Sequence, residues 1–285
     1  MKKIIIAFVL LCLITAFIPK KSKQEKVTVC HSDATVDFAK FAQNKNFIAA
    51  HDSPQIISFE SKVGGKSITF KTPDGKTASA YEIKAPGNSK KWLLVYQEWW
   101  GLNDHIKMES EKLFNDLKDV NILALDMYDG KVATDPQTAG KYMQEAKPER
   151  LDAITKGGIE HTGKDTKIAS IGWCFGGGRS LQSALAEGKE AIGCVIYYGM
   201  PEKDKEKLKT LNCDVLGIFA EQDKYITPEI AKEFEKNMND AGKKITIKLY
   251  NAVHGFANPS NPKYDKEATV DAYKLTINYL KQKFK

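Results

Sequence analysis

The stretch Lys-Ile-Ala-Ser-Ile-Gly-Trp-Cys-Phe-Gly-Gly-Gly-Arg-Ser, running from Lys167 to Ser180, decides the fold of this chain. Ile168 to Ile171 is a short, largely apolar run of the kind that forms a buried strand. Gly172-Trp173-Cys174-Phe175-Gly176 then turns sharply into a helix expected to begin near Gly177. The glycines let the backbone approach its neighbours closely while the central residue is held in a strained conformation. This is the pattern of a nucleophile elbow with Cys in place of Ser. It lifts the Cys174 sulfur above the sheet at a helix N-terminus, where the helix dipole favours thiolate; such sites bring a Cys pKa of about 8.5 down to roughly 3.5–7.5.

A lone G-x-C-x-G also fits a small buried residue in a glycine-rich turn. The residues that follow favour the elbow reading. Glu221-Gln222-Asp223 closes the apolar run Val215 to Ala220, and His254-Gly255-Phe256 follows the run Ile245 to Tyr250. An acid and then a base therefore each arrive at a strand end. Nucleophile, acid, base is the chain order of α/β-hydrolases.

With 285 residues, 42% hydrophobic and 28% charged, the chain suits one α/β domain with an extension. The net charge of +7 comes from Lys spread along the chain, with Arg only at Arg150 and Arg179. No dense basic run is interleaved with aromatics, so nucleic acid is not an expected partner.

Lys2 and Lys3 precede an apolar run from Ile4 to Ile18, followed by Pro19-Lys20-Lys21-Ser22. This is a secretory signal pattern, too short for the ~20 residues of a spanning helix. Residues 1–18 are therefore read as a signal peptide or uncleaved anchor, and the protein as exported, periplasmic or secreted. Contact with a membrane is expected only through that segment, if it is retained. Beyond it lie Cys30, Cys174, Cys194 and Cys213; Cys194 falls inside an apolar strand and Cys174 must stay reduced to act, so no disulfide framework is expected. No C-x-x-C or H-x-x-x-H spacing occurs, which points to no metal and no cofactor.

Residues 19–60 form an amino-terminal extension with a helical candidate from Thr35 to Ile48, and His31 and His51 are expected to be exposed. The domain proper is assigned to residues 61–285. Ser67–Phe70 and Ala78–Ile83 read as antiparallel strands joined at Pro73-Asp74-Gly75. Trp92–Tyr96, Asn121–Tyr128, Ala191–Tyr198, Val215–Ala220 and Ile245–Tyr250 read as strands of a mostly parallel sheet. Helices are expected after Asn103 or Asp104, from Asp135-Pro136 to about Glu160, from Thr227-Pro228, and over Val270–Phe284. Alternating strands and helices make an α/β fold with helices on both faces and active groups at the strand C-termini.

Gln97-Glu98-Trp99-Trp100-Gly101-Leu102-Asn103, Asp126-Met127-Tyr128, Gly172-Trp173-Cys174-Phe175-Gly176-Gly177, Tyr197-Tyr198-Gly199, Asp223 and His254-Gly255-Phe256 together resemble the dienelactone hydrolase family of α/β-hydrolases, over about residues 62 to 285. The resemblance implies Cys174 as nucleophile, His254 as base, Asp223 as its orienting acid, and Glu98 as a carboxylate that contacts the resting thiol and moves aside for substrate. Asp126 or Asp129 remains an alternative acid. The elbow geometry implies an oxyanion site formed by the backbone N–H groups of Phe175 and Trp99. Tyr128, Tyr198, Trp173 and Phe256 are candidate pocket walls. Family members that act on dienelactones hold the substrate carboxylate with two arginines; the corresponding regions here read Asp129-Gly130-Lys131 and Phe256-Ala257-Asn258. Lys131 could supply one cation, without the planar guanidinium fork, and Asn258 none.

The expected function is thus a monomeric cysteine hydrolase that cleaves a small ester, lactone or thioester through an acyl-cysteine. The competing reading is a non-catalytic binding protein acting through its amino-terminal segment. A thiol redox role would need a resolving cysteine.

Overall fold

The computed structural model describes residues 34–285. The expected signal segment, Cys30 and His31 lie outside the described residues.

The described residues start with α1 (Ala34–Ala39), one turn of 3₁₀ helix (Lys40–Gln43) and α2 (Lys45–Ala49), where one continuous helix was expected. Asn44 is the reason for the break. Its backbone is extended and its side-chain oxygen accepts from the amides of Asn46 and Phe47, so it caps a new helix instead of continuing the old one. β1 (Lys66–Lys71) and β2 (Thr77–Ile83) form the antiparallel hairpin, followed by β3 (Lys91–Tyr96), α3 (Asp104–Leu117) and β4 (Asn121–Leu125).

The expected strand over Asn121–Tyr128 therefore stops at Leu125. Asp126 turns the chain there: its carboxylate accepts from the amides of Tyr128 and Gly130 and from the Ser79 hydroxyl. The single helical region expected to reach Glu160 is two helices, α4 (Pro136–Glu145) and α5 (Pro148–Thr162). Pro148 has no amide to donate and holds Lys147 before it in an extended conformation, which ends one helix and starts the next.

β5 (Lys167–Trp173) runs into α6 (Phe175–Ala186), followed by β6 (Ala191–Tyr197), the short α7 (Lys205–Lys209), β7 (Val215–Ala220), α8 (Pro228–Asp240), β8 (Ile245–Tyr250) and α9 (Lys266–Lys283). α7 was not anticipated; Asp204 caps it through the Glu206 amide. α9 begins before Val270 because Asp265 caps it through the Ala268 amide.

The eight strands form one sheet in the order β1-β2-β4-β3-β5-β6-β7-β8. β1 and β2 are antiparallel to their neighbours, and β4, β3, β5, β6, β7 and β8 are mutually parallel. Parallel strands bring all their C-terminal loops to one edge, so Glu98, Cys174, Tyr198, Asp223 and His254, each just past a strand end, share that edge. Strand order reverses between β3 and β5, which opens the crevice where ligands bind in open α/β sheets. Every residue of β4 is buried, as is every residue of β5 after Lys167. β8, at the sheet margin, alternates between more and less exposed residues.

Candidate active site

The elbow is fixed by backbone contact. A Cβ on Gly172 would collide with the Gly176 carbonyl, and one on Gly176 with the carbonyls of Tyr96 and Gln97. No larger residue fits either position, so the chain turns in the space only glycine leaves. Cys174 takes the strain, with φ 55° and ψ −119°, and stands as the residue before α6. Its amide donates to the Tyr197 carbonyl, 3.0 Å away, and ties the turn to β6.

His254 Nε2 lies 3.3 Å from Cys174 Sγ, and His254 Nδ1 lies 2.6 Å from Asp223 Oδ2. Asp223 is itself held, because its other oxygen accepts from the amides of Tyr225 and Ile226. Asp126 is committed to its turn, and Asp129 pairs with Arg150, leaving Asp223 as the carboxylate on the imidazole. Burial would pull the His254 pKa down, but Asp223 and the Cys174 sulfur hold it well above the usual histidine range.

The sulfur departs from the helix-dipole expectation. Burial pushes the Cys174 thiol above its ordinary range, against the opposing pull of His254, and the nearby Glu98 carboxylate adds to the rise. Cys174 is only 2% exposed, and desolvation of a thiolate that deep outweighs the helix N-terminus. The amide of Phe175 hydrogen-bonds toward it.

Glu98 accepts from the Asn258 side-chain amide and, at 3.5 Å, from the Tyr198 hydroxyl, while the sulfur pairs with His254. Burial raises the Glu98 pKa to about 7. Glu98, Trp99, Trp100, Cys174, His254 and Asn258 line a small recess. Tyr198 packs its ring 5.1 Å from the His254 ring, Phe256 lies 5.6 Å from Tyr198, and Tyr128 lies 5.4 Å from Phe175. Trp173 faces a neighbouring groove beyond Glu98 and Asn258. Lys131 is not brought into the recess; its ammonium pairs with Glu145 at 3.1 Å on the surface.

His51, expected to be exposed, is the residue whose position the sequence reading missed. It follows the fully buried Phe47 by four residues, just past the end of α2, and its ring lies 4.6 Å from Trp99 and 5.5 Å from His254. That spacing was the available signal. Its Nδ1 is 2.7 Å from the Phe47 carbonyl, and burial beside His254 pushes its pKa down to about 3.

The sequence profile of the dienelactone hydrolase family matches residues 78–284. The chain belongs to the dienelactone hydrolase family. Membership makes it a hydrolase of ester bonds and favours that reading over a non-catalytic module. A protein of Aquifex aeolicus provisionally named a carboxymethylenebutenolidase is 25% identical over 207 residues, covering 67% of this chain and 89% of its own. A carboxymethylenebutenolidase of a Pseudomonas species is 34% identical over 119 residues, 41% of this chain and 49% of its own. Among solved structures, a dienelactone hydrolase-like promiscuous phosphotriesterase from metagenomic libraries superposes with a TM-score of 0.66 at 19% identity, covering 76% of this chain and 98% of its own, and supports the fold. The family profile begins after α1 and α2, so His51 lies outside it.

Proposed function

We propose that this dienelactone hydrolase family member is a cysteine hydrolase of small, uncharged esters, lactones or thioesters. The observation that carries the reading is the continuous Asp223–His254–Cys174 relay, at 2.6 Å and 3.3 Å. His254 takes the thiol proton, and its raised affinity for that proton suits it to a sulfur that holds its own tightly. The sulfur attacks the acyl carbon, and the oxyanion is met by the amides of Phe175 and Trp99. His254 returns the proton to the leaving oxygen or sulfur, and water then hydrolyses the acyl-cysteine. Asp223 keeps the ring in the tautomer that points a lone pair at the sulfur.

Substrate charge follows from the walls. Among the described residues lining the recess there is no Lys or Arg, whereas Glu98 and Asp52 are acidic. Such walls offer a substrate carboxylate no guanidinium or ammonium to hold it, which argues against dienelactone itself. Export to the periplasm or exterior forms part of the proposal, supported by the apolar run Ile4 to Ile18 behind Lys2 and Lys3.

The test is an ester, lactone and thioester panel with intact-mass trapping of the acyl adduct. The parent should turn over p-nitrophenyl acetate and gain one acyl mass. Cys174→Ala should lose both, with a fall in rate of roughly 10⁴-fold or more. Undiminished hydrolysis by Cys174→Ala would remove the sulfur from the mechanism.

A further inference from the structure

The hydrolase chemistry uses two of the three metal-type donors that converge on the recess. His51, Cys174 and His254 each present one ligand atom, and the three atoms lie within 4.8 Å of one another. The sequence spacing gives no hint of this, since the donors come from three distant segments.

Each imidazole is also oriented as a metal-binding histidine is. Ligating histidines almost always give their other ring N–H to a carboxylate or backbone carbonyl, which fixes the tautomer and aims the free lone pair at the ion. His254 Nδ1 meets Asp223 at 2.6 Å and His51 Nδ1 meets the Phe47 carbonyl at 2.7 Å. The carbonyl can only accept, so His51 donates from Nδ1 and its Nε2 carries a lone pair. That Nε2 is buried with no hydrogen-bond partner among the described residues. A buried acceptor without a partner is destabilising, and an ion would relieve it.

We propose that Cys174, His254 and His51 form a thiophilic metal site, suited to Zn²⁺, through which the segment preceding the family domain lets a metal block the nucleophile. Thiolate together with imidazole is a zinc donor set, and three protein ligands leave a fourth position for water or another ligand in the recess. Bonds of about 2.0–2.3 Å place donors some 3.5 Å apart, so the widest pair closes by about 1 Å. As the metal–sulfur bond forms the thiol proton leaves to solvent, and no electron is transferred. Binding stands apart from the hydrolase reading; inhibition rests on it.

The experiment titrates the full-length protein with Zn²⁺ and, as a spectroscopic substitute, Co²⁺. One ion per chain, a near-ultraviolet sulfur-to-cobalt band, and slower iodoacetamide alkylation of Cys174 in the presence of Zn²⁺ are expected. Cys174→Ser should abolish the band, and His51→Gln should weaken binding by more than about 100-fold, beyond the 10–100-fold that loss of a hydrogen-bond partner behind a metal ligand costs. Affinity within about threefold of the parent in His51→Gln, a band that survives Cys174→Ser, or unchanged alkylation of the parent under Zn²⁺ would each overturn the site. None of these readouts needs turnover, so an inactive protein would still report them. The alkylation arm uses only the parent and does not depend on either variant folding.

Discussion

Two regions meet at the recess and are held by different physics. The elbow between β5 and α6 is locked by backbone against backbone: Gly172 and Gly176 leave no room for a Cβ, and Cys174 has a positive φ that only the surrounding contacts sustain. The α1–α2 segment is held by side chains. Phe47 is fully buried, its ring 5.2 Å from Trp99 and 4.8 Å from Tyr225, while Arg179 of α6 donates to the Thr35 hydroxyl. Backbone locks tolerate almost no change, whereas a stack of rings can loosen stepwise. The Cys174 sulfur therefore sits on the rigid side, and His51 is delivered from the adjustable one.

Substitutions can break this contrast. Gly176→Ala should have the largest effect, because its Cβ meets two carbonyls of the β3 end that cannot move without disrupting the sheet. A loss of at least about 4–5 kcal/mol is expected, read by urea unfolding, with hydrolysis lost in parallel. A normally stable Gly176→Ala protein would show that the elbow is not backbone-locked.

Phe47→Ala should cost about 3–5 kcal/mol of packing, expressed locally. Amide exchange should speed up over residues 34–53 while β5 and α6 stay protected. Equal deprotection of both regions would mean that the segment and the elbow unfold as one unit, and the contrast would fail.

Glu98→Gln sharpens the boundary between the regions through pH. The folded pKa of about 7 lies above the ordinary 4.5, so the folded state holds the proton more tightly. Stability from this group is complete below pH 4.5, falls between 4.5 and 7, and stays lost above. At about 1.36 kcal/mol per unit the loss is roughly 3 kcal/mol at most. Glu98→Gln should therefore flatten the decline in unfolding free energy between pH 4.5 and pH 8, and an unchanged slope would show that Glu98 titrates normally.

The elbow was legible because its constraint is local: a strand, a turn and a helix adjacent in the chain need glycine at fixed positions. Val215–Ala220 and Ile245–Tyr250 were legible as strands for a similar reason, since continuous apolar or β-branched runs suit the pleat. The break at Asn44 and the early end of β4 at Asp126 were not, because one polar side chain captured amides that periodicity assigns to a longer element. The upward shift at Cys174 was also hidden, because desolvation depends on what packs overhead.

The sequence by itself determined that a cysteine, an acid and a histidine would each follow a strand of a parallel sheet, since alternating apolar runs and helix caps impose that architecture. Only the tertiary structure decided that Asp223 rather than Asp126 or Asp129 reaches His254, that Asn258 turns to Glu98, that Lys131 turns away to Glu145, and that His51 completes a donor set with Cys174 and His254. Chain order is written in local backbone preferences, while side-chain partnership depends on distances between segments far apart in sequence, which exist only once the core has closed.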